Sequence, residues 1–231
     1  MTAKRWFGLK RGGDLFPGSW IVPCAVLMLA AFALAGCSDD DDHDDPPTVY
    51  VSEIISDVEA DGDIAWTQGG TYIVSSAQDT GNVLAGVDPE TGEEYRGFLD
   101  FPLRDSDGVP MNAVIESATL EIFISWTSDS DSDRTFPFLI DLIAFQPPIL
   151  IEDDFDRVVQ PPLLTMPIDF YPSDAGAYVV IDVTSLVNEA QMERLVDLQL
   201  RFVLDFTETS GLVEIEDSDL ETAPLLTISY F

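Results

Sequence analysis

The chain has 231 residues, with 43 Asp and Glu against 10 Lys and Arg, and a formal net charge of −33 at neutral pH. That balance argues against nucleic acid as a partner, since phosphates are neutralised by Lys and Arg, and against electrostatic docking on anionic lipid. A single His and two Cys leave little room for imidazole catalysis, His-ligated zinc or a disulfide framework.

The N-terminal segment reads as an export signal. Lys4, Arg5, Lys10 and Arg11 form a basic region, Ile21 to Ala35 an apolar run, and small residues follow. The run is interrupted by Pro23 and is short for a membrane span. It ends in Leu34-Ala35-Gly36-Cys37. Those four residues resemble the bacterial lipobox. The resemblance implies lipid transfer to the Cys37 sulfur, cleavage after Gly36 and acylation of the new amino terminus, including by palmitate. Several chains are needed because one acyl chain holds a membrane only marginally. The alternative is a plain signal peptide whose product carries a stray Cys. Ser38 rather than Asp follows Cys37, which by the same resemblance favours the outer membrane of a Gram-negative envelope over the inner one.

Cleavage after Gly36 would leave 42 acidic residues and six basic ones, all Arg, for a formal charge of −36. A cationic partner, a divalent metal or high external salt suits such a chain, because self-repulsion destabilises a compact state unless it is screened. We hypothesise a saline habitat. The melting temperature is expected to rise between low and molar sodium chloride, and an unchanged midpoint would contradict this. With no Lys after Gly36, a phosphate-binding Walker loop and Schiff-base chemistry are excluded, leaving carboxylates, hydroxyls, Arg and oxygen-ligated metals.

Residues 37–48 read as a linker. The aspartates from Asp39 to Asp45 repel one another and Pro46-Pro47 stiffens the exit, so a disordered spacer is expected. Residues 49–231 then form one domain. Strands are expected at Thr48–Ile55, Gly70–Ser75, Asn82–Val87 and Tyr95–Phe101, with a turn over Asp57–Asp63. Ser117–Trp126 alternates most cleanly, placing Ala118, Leu120, Ile122, Ile124 and Trp126 on one face as core. Phe138–Phe145 follows. The Pro-rich stretch from Gln146 to Pro172 is expected to be an irregular connection holding one short edge strand. Ala177–Val183 is the next strand, and Thr184–Met192 the single helix. Leu198–Phe206 alternates again, setting Gln199 and Arg201 opposite the core. Leu212–Ile215 and Leu225–Tyr230 close the chain. Short strands spaced by turn residues, with almost no helix, indicate an all-β antiparallel sandwich.

Two segments then point to a family. Tyr95-Arg96-Gly97-Phe98-Leu99-Asp100-Phe101-Pro102-Leu103 and Ile115-Glu116-Ser117-Ala118-Thr119-Leu120-Glu121-Ile122 resemble the core of DNRLRE-type domains. Ile181 to Val187 is similar to that family's strand-to-helix step, and Pro224 to Tyr230 to its last strand. The resemblance implies a jelly-roll surface module related to carbohydrate-binding modules. The chain departs from it at Leu150–Asp156, where members carry a Trp-rich segment.

Sugar recognition uses exposed aromatic platforms. Trp66, beside Gly69-Gly70, and Tyr72, Tyr171 and Tyr178 are the candidates, each weighed against ordinary packing. For calcium the candidates are Asp61 and Asp63 in one acidic cluster, and Glu216, Asp217 and Asp219 in another. Asp129-Ser130-Asp131-Ser132-Asp133 opens like a calcium loop but lacks its Gly and closing Glu. The sequence thus leads to a non-catalytic envelope lipoprotein that binds polysaccharide or another envelope component. It needs no cofactor, with a structural calcium ion as an option. A structural or protein-interaction module and a hydrolase working through two carboxylates are the alternatives.

Overall fold

The computed structural model describes residues 47–104, 108–129, 134–145, 149–205 and 210–231. Cys37, the rest of the expected signal and almost all of the linker lie outside the described residues, as does Ser130–Asp133 of the acidic loop. The elements run β1 (Tyr50–Ile55), β2 (Gly62–Trp66), β3 (Tyr72–Ser76), a helical turn (Ala77–Thr80), β4 (Asn82–Val87), β5 (Glu94–Pro102), β6 (Ile115–Thr127) and β7 (Phe136–Ile143). A 3-10 turn (Glu152–Phe155), β8 (Leu164–Phe170), a second 3-10 turn (Pro172–Asp174) and β9 (Ala177–Asp182) follow. Helix α1 (Thr184–Met192), β10 (Asp197–Leu204), β11 (Gly211–Glu216) and β12 (Leu225–Tyr230) complete the domain. Among the described residues no helix is long and apolar enough to cross a membrane.

The strands follow one antiparallel hydrogen-bonded path, β1-β12-β6-β11-β4-β5-β10-β7-β8. Strands β2 and β3 extend from β5, and β9 pairs with β6. The path curls because β6 and β5 each serve two neighbours along one edge. Strand β6 offers its first half to β12 and its second to β11. Strand β5 offers Gly97–Pro102 to β10 and Glu94-Tyr95 to β4. Both ends of the path therefore feed one core. Leu120, Ile122 and Ile124 of β6, Leu99 and Phe101 of β5, Phe138, Ile140 and Leu142 of β7, and Leu198, Leu200 and Phe202 of β10 are all fully buried within it. Each such side chain stabilises the fold by about 1.5–3 kcal/mol on burial. The result is the expected all-β sandwich. Helix α1 adds Leu186, Val187 and Ala190 to the same core.

Three expectations are corrected by the fold. First, the expected turn over Asp57–Asp63 ends early, because Gly62 and Asp63 already belong to β2, paired between β3 and β5. A Cβ at Gly62 would sit 2.1 Å from the Ser75 carbonyl oxygen, so the close strand approach requires glycine there. Second, Trp126 is not core but 48% exposed. The β6–β11 register shifts between Glu214 and Ile215, so Ser125 is the extra residue of a bulge. Alternation then restarts with Thr127 inward and Trp126 outward. Third, Gln199 and Arg201 do not face solvent. They are buried on a second covered face of the sheet.

That second face defines the rest of the molecule. Ile64 of β2, Phe98 of β5 and Ile143 of β7 lie on it. The connection after β7 folds back as a cover and packs Phe145, Leu150 and Phe155 against them. The expected irregular connection is therefore a roof, followed by the expected edge strand, β8, which pairs with β7.

Candidate functional site

The site is built where roof and sheet meet. Three arginines project from strands or roof into this face. Arg201, fully buried, donates to Asp141 Oδ2 through Nη2 at 2.8 Å and Nε at 3.2 Å. Two further hydrogens reach the roof backbone, at the Asp154 carbonyl (2.7 Å) and the Gln160 carbonyl (3.1 Å). Arg157 of the roof donates to the other Asp141 oxygen at 2.8 Å and to Thr165 Oγ1 at 3.1 Å. Arg96 pairs with Glu94 at 2.8 Å and donates to the Phe155 carbonyl. Thus the roof's orphan carbonyls are satisfied by cations standing on the sheet.

Burial lowers the Arg201 pKa, Asp141 counters this, and the charges of Arg96 and Arg157 add to the lowering. Asp154 is raised by burial, against a hydrogen bond from the Ile151 amide and the charge of Arg201. On the same face Gln199 bridges the Asp100 carboxyl (2.7 Å) and the Phe145 amide (2.7 Å).

At one margin of this network the side chains open into a hollow of about 490 Å³, lined by Tyr72, Arg96, Phe155, Arg157, Val158 and Pro162 among others. Three aromatic rings run in series beside it. Trp66 and Tyr72 meet at 4.7 Å between centroids, and Tyr72 and Phe155 at 5.2 Å. The Arg96 guanidinium lies 3.9 Å from the centre of the Phe155 ring. Trp66 ends the row Gly62, Ile64, Trp66 on the roofed face of β2, and Tyr72 is its register partner on β3. Trp66 remains 37% exposed. An aromatic surface next to guanidinium donors can stack on an apolar ring face and hydrogen-bond to oxygen substituents.

The structure divides the expected aromatic candidates. Trp66 and Tyr72 come together, and Tyr72 lines the hollow. Tyr171, 43% exposed, lies after β8 at a separate shallow hollow between β8 and β9. Tyr178 packs edge-on against Phe123 at 5.0 Å, and its hydroxyl donates to the Glu221 carbonyl at 2.9 Å. The participants that sequence reading passed over are Phe155, Arg96 and Arg157. One signal was present: Arg96 is one of few cations and sits on the strand face opposite Tyr95, Gly97, Leu99 and Phe101.

The acidic candidates separate as well. Asp61 and Asp217 are buried side by side. Burial and the Asp217 charge push the Asp61 carboxyl well above its ordinary range, and burial raises Asp217 to about 6. Asp63 faces another way, accepting from the Leu84 amide at 3.3 Å, and burial raises it to about 6. Glu216 is half-buried and bonded by Ser218, and the exposed Asp219 caps its own turn through the Glu221 amide at 3.2 Å. The five candidates therefore do not form one site. Among the described residues, no three His, Cys, Asp or Glu side chains are grouped to hold a metal ion. No protein-family model matches the chain, and no curated relative matches it either.

Proposed function

We propose that this domain is a non-catalytic glycan-binding module of a lipid-anchored protein of the cell envelope, held through Cys37 in the outer membrane of a Gram-negative bacterium. The observation that carries the reading is the aromatic series in which the partly exposed Trp66 meets Tyr72, and Tyr72 meets Phe155, with Tyr72 and Phe155 lining an open hollow together with Arg96 and Arg157. The DNRLRE-type resemblance of the strand motifs supports the same class of ligand. The lipobox-like Leu34–Cys37 motif and the aspartate spacer support display away from a membrane surface.

Glycan-array binding by the full chain in detergent tests it. Trp66→Ala is expected to weaken binding about thirtyfold, as removal of an anchoring aromatic costs about 2 kcal/mol. Tyr178→Ala, distant from the hollow, is expected to leave binding unchanged. Equal losses from both substitutions, or no sugar bound at all, would overturn the reading. Turnover of a bound polysaccharide would replace it with the hydrolase reading.

One observation favours a second reading, a protein-interaction module. Among the described residues, strand β3 pairs only with β2, and it exposes Ile73 (53%) and Val74 (42%) on its two faces. An open edge with apolar side chains is suited to adding a partner's strand. Co-purification with an envelope protein, without sugar binding, would favour it.

A further inference from the structure

Ser56 follows β1, Asp61 leads into β2, and Asp217 follows β11. The three side chains meet in the interior, with exposures of 8%, 1% and 4%. One oxygen of Asp61 is satisfied, since Oδ1 accepts from the Asp100 amide at 2.6 Å. Among the described residues, Asp61 Oδ2, Asp217 Oδ2 and Ser56 Oγ have no hydrogen-bond partner. Ser56 is near enough to favour the charged form of both carboxyls, yet it is in hydrogen-bonding geometry with neither. Asp57, Asp100 and Glu216 add negative charge around the pair. The ion pairs of Arg96, Arg134, Arg157 and Arg201 are all made with other acids.

Two buried carboxyls in contact cannot both carry charge without a positive partner. A proton shared between them would satisfy two oxygens and leave Ser56 Oγ. A cation would take all three. Asp61 also lines a hollow of about 450 Å³ whose wall carries Glu59 and Asp79. An acidic mouth of this kind concentrates cations beside Asp61. The donors are all oxygen, which selects a hard ion over zinc or copper.

We propose that Asp61, Asp217 and Ser56 bind a calcium ion beside the Glu59–Asp79 hollow. The ion ties the end of β1, the start of β2 and the end of β11 into one joint. The inference does not depend on the glycan reading.

The test is thermal melting and calorimetric titration of the chelator-treated full chain at neutral pH, with magnesium at matched ionic strength as control. Calcium at about a hundred times its dissociation constant is expected to raise the melting temperature by about 5–10 °C. Magnesium is expected to act more weakly, because it sheds its waters reluctantly. Asp61→Asn and Asp217→Asn should each abolish the response. Without metal, Asp217→Asn should melt no lower than the native chain, because one buried charge is gone, and this shows that the variant is folded. A calcium response equal to that of magnesium, or retained in both variants, would overturn the proposal. So would no calcium response together with a melting point that climbs on acidification, which assigns a shared proton instead.

Discussion

Asp141→Ala is expected to destabilise the domain by about 3–5 kcal/mol, the usual cost of leaving a buried charge without its partner. Asp141 is fully buried and accepts four bonds, two from Arg201, one from Arg157 and one from Thr165 Oγ1 at 2.7 Å. Its removal strands the Arg201 guanidinium, also fully buried, beside two further cations. For a domain of this length the loss should appear as a fall of about 6–20 °C in melting temperature. The double variant Asp141→Leu with Arg201→Met should recover much of it, since apolar replacement of a whole buried pair is often neutral or better. Urea denaturation of the three proteins decides the matter. A single variant within about 1 kcal/mol of the native chain would show that water reaches this face and pairs the guanidinium.

Phe155→Ala carries the second large effect, a loss of about 3–5 kcal/mol. Its ring is 6% exposed, packs with Ile64, Phe98 and Leu150, and bears the Arg96 guanidinium. Truncation removes apolar contact and leaves Tyr72 without support at 5.2 Å. Sugar binding should fall with stability. Phe155→Leu should restore most of the stability and little of the binding, because volume returns but the flat ring does not. Denaturant melts and array binding of the two variants separate these contributions. Equal recovery of both by leucine would show that Phe155 acts as filler only.

Much of the fold was legible in the chain. The one-sided alternation of β6 and the apolar rows of β5 and β10 announced inward faces, because a period of two in apolar residues suits a half-buried strand and not a helix. The boundaries of α1 and β12 followed from local pattern in the same way. What escaped notice was the second covered face. Arg96, Asp100, Gln199 and Arg201 look like a solvent side, since polar residues in alternation carry no mark of being roofed. Only the return of the proline-rich connection hides them, and that is a long-range event. Strand β2 escaped for a related reason, as Gly62-Asp63 reads as a turn unless its neighbours are known. Trp126 was misplaced by a single inserted residue, which pattern counting cannot see without the partner strand. At the site, Trp66 and Tyr72 were visible as aromatic residues near a glycine turn, whereas Phe155 lay in a segment whose packing depends on Arg96 and Arg201, both distant in sequence.

The bulge in β6 has an optical consequence. It turns Trp126 outward, and Trp66 is also partly exposed, so neither tryptophan of the domain is immersed in the core. Indole emission from the domain's two tryptophans is therefore a signal of its surface. Trp66 reports on its contact with Tyr72, which lines the hollow, while Trp126, on another strand, serves as an internal reference. Loss of the interior itself is recorded by the tyrosines and phenylalanines and by the backbone, through near- and far-ultraviolet dichroism.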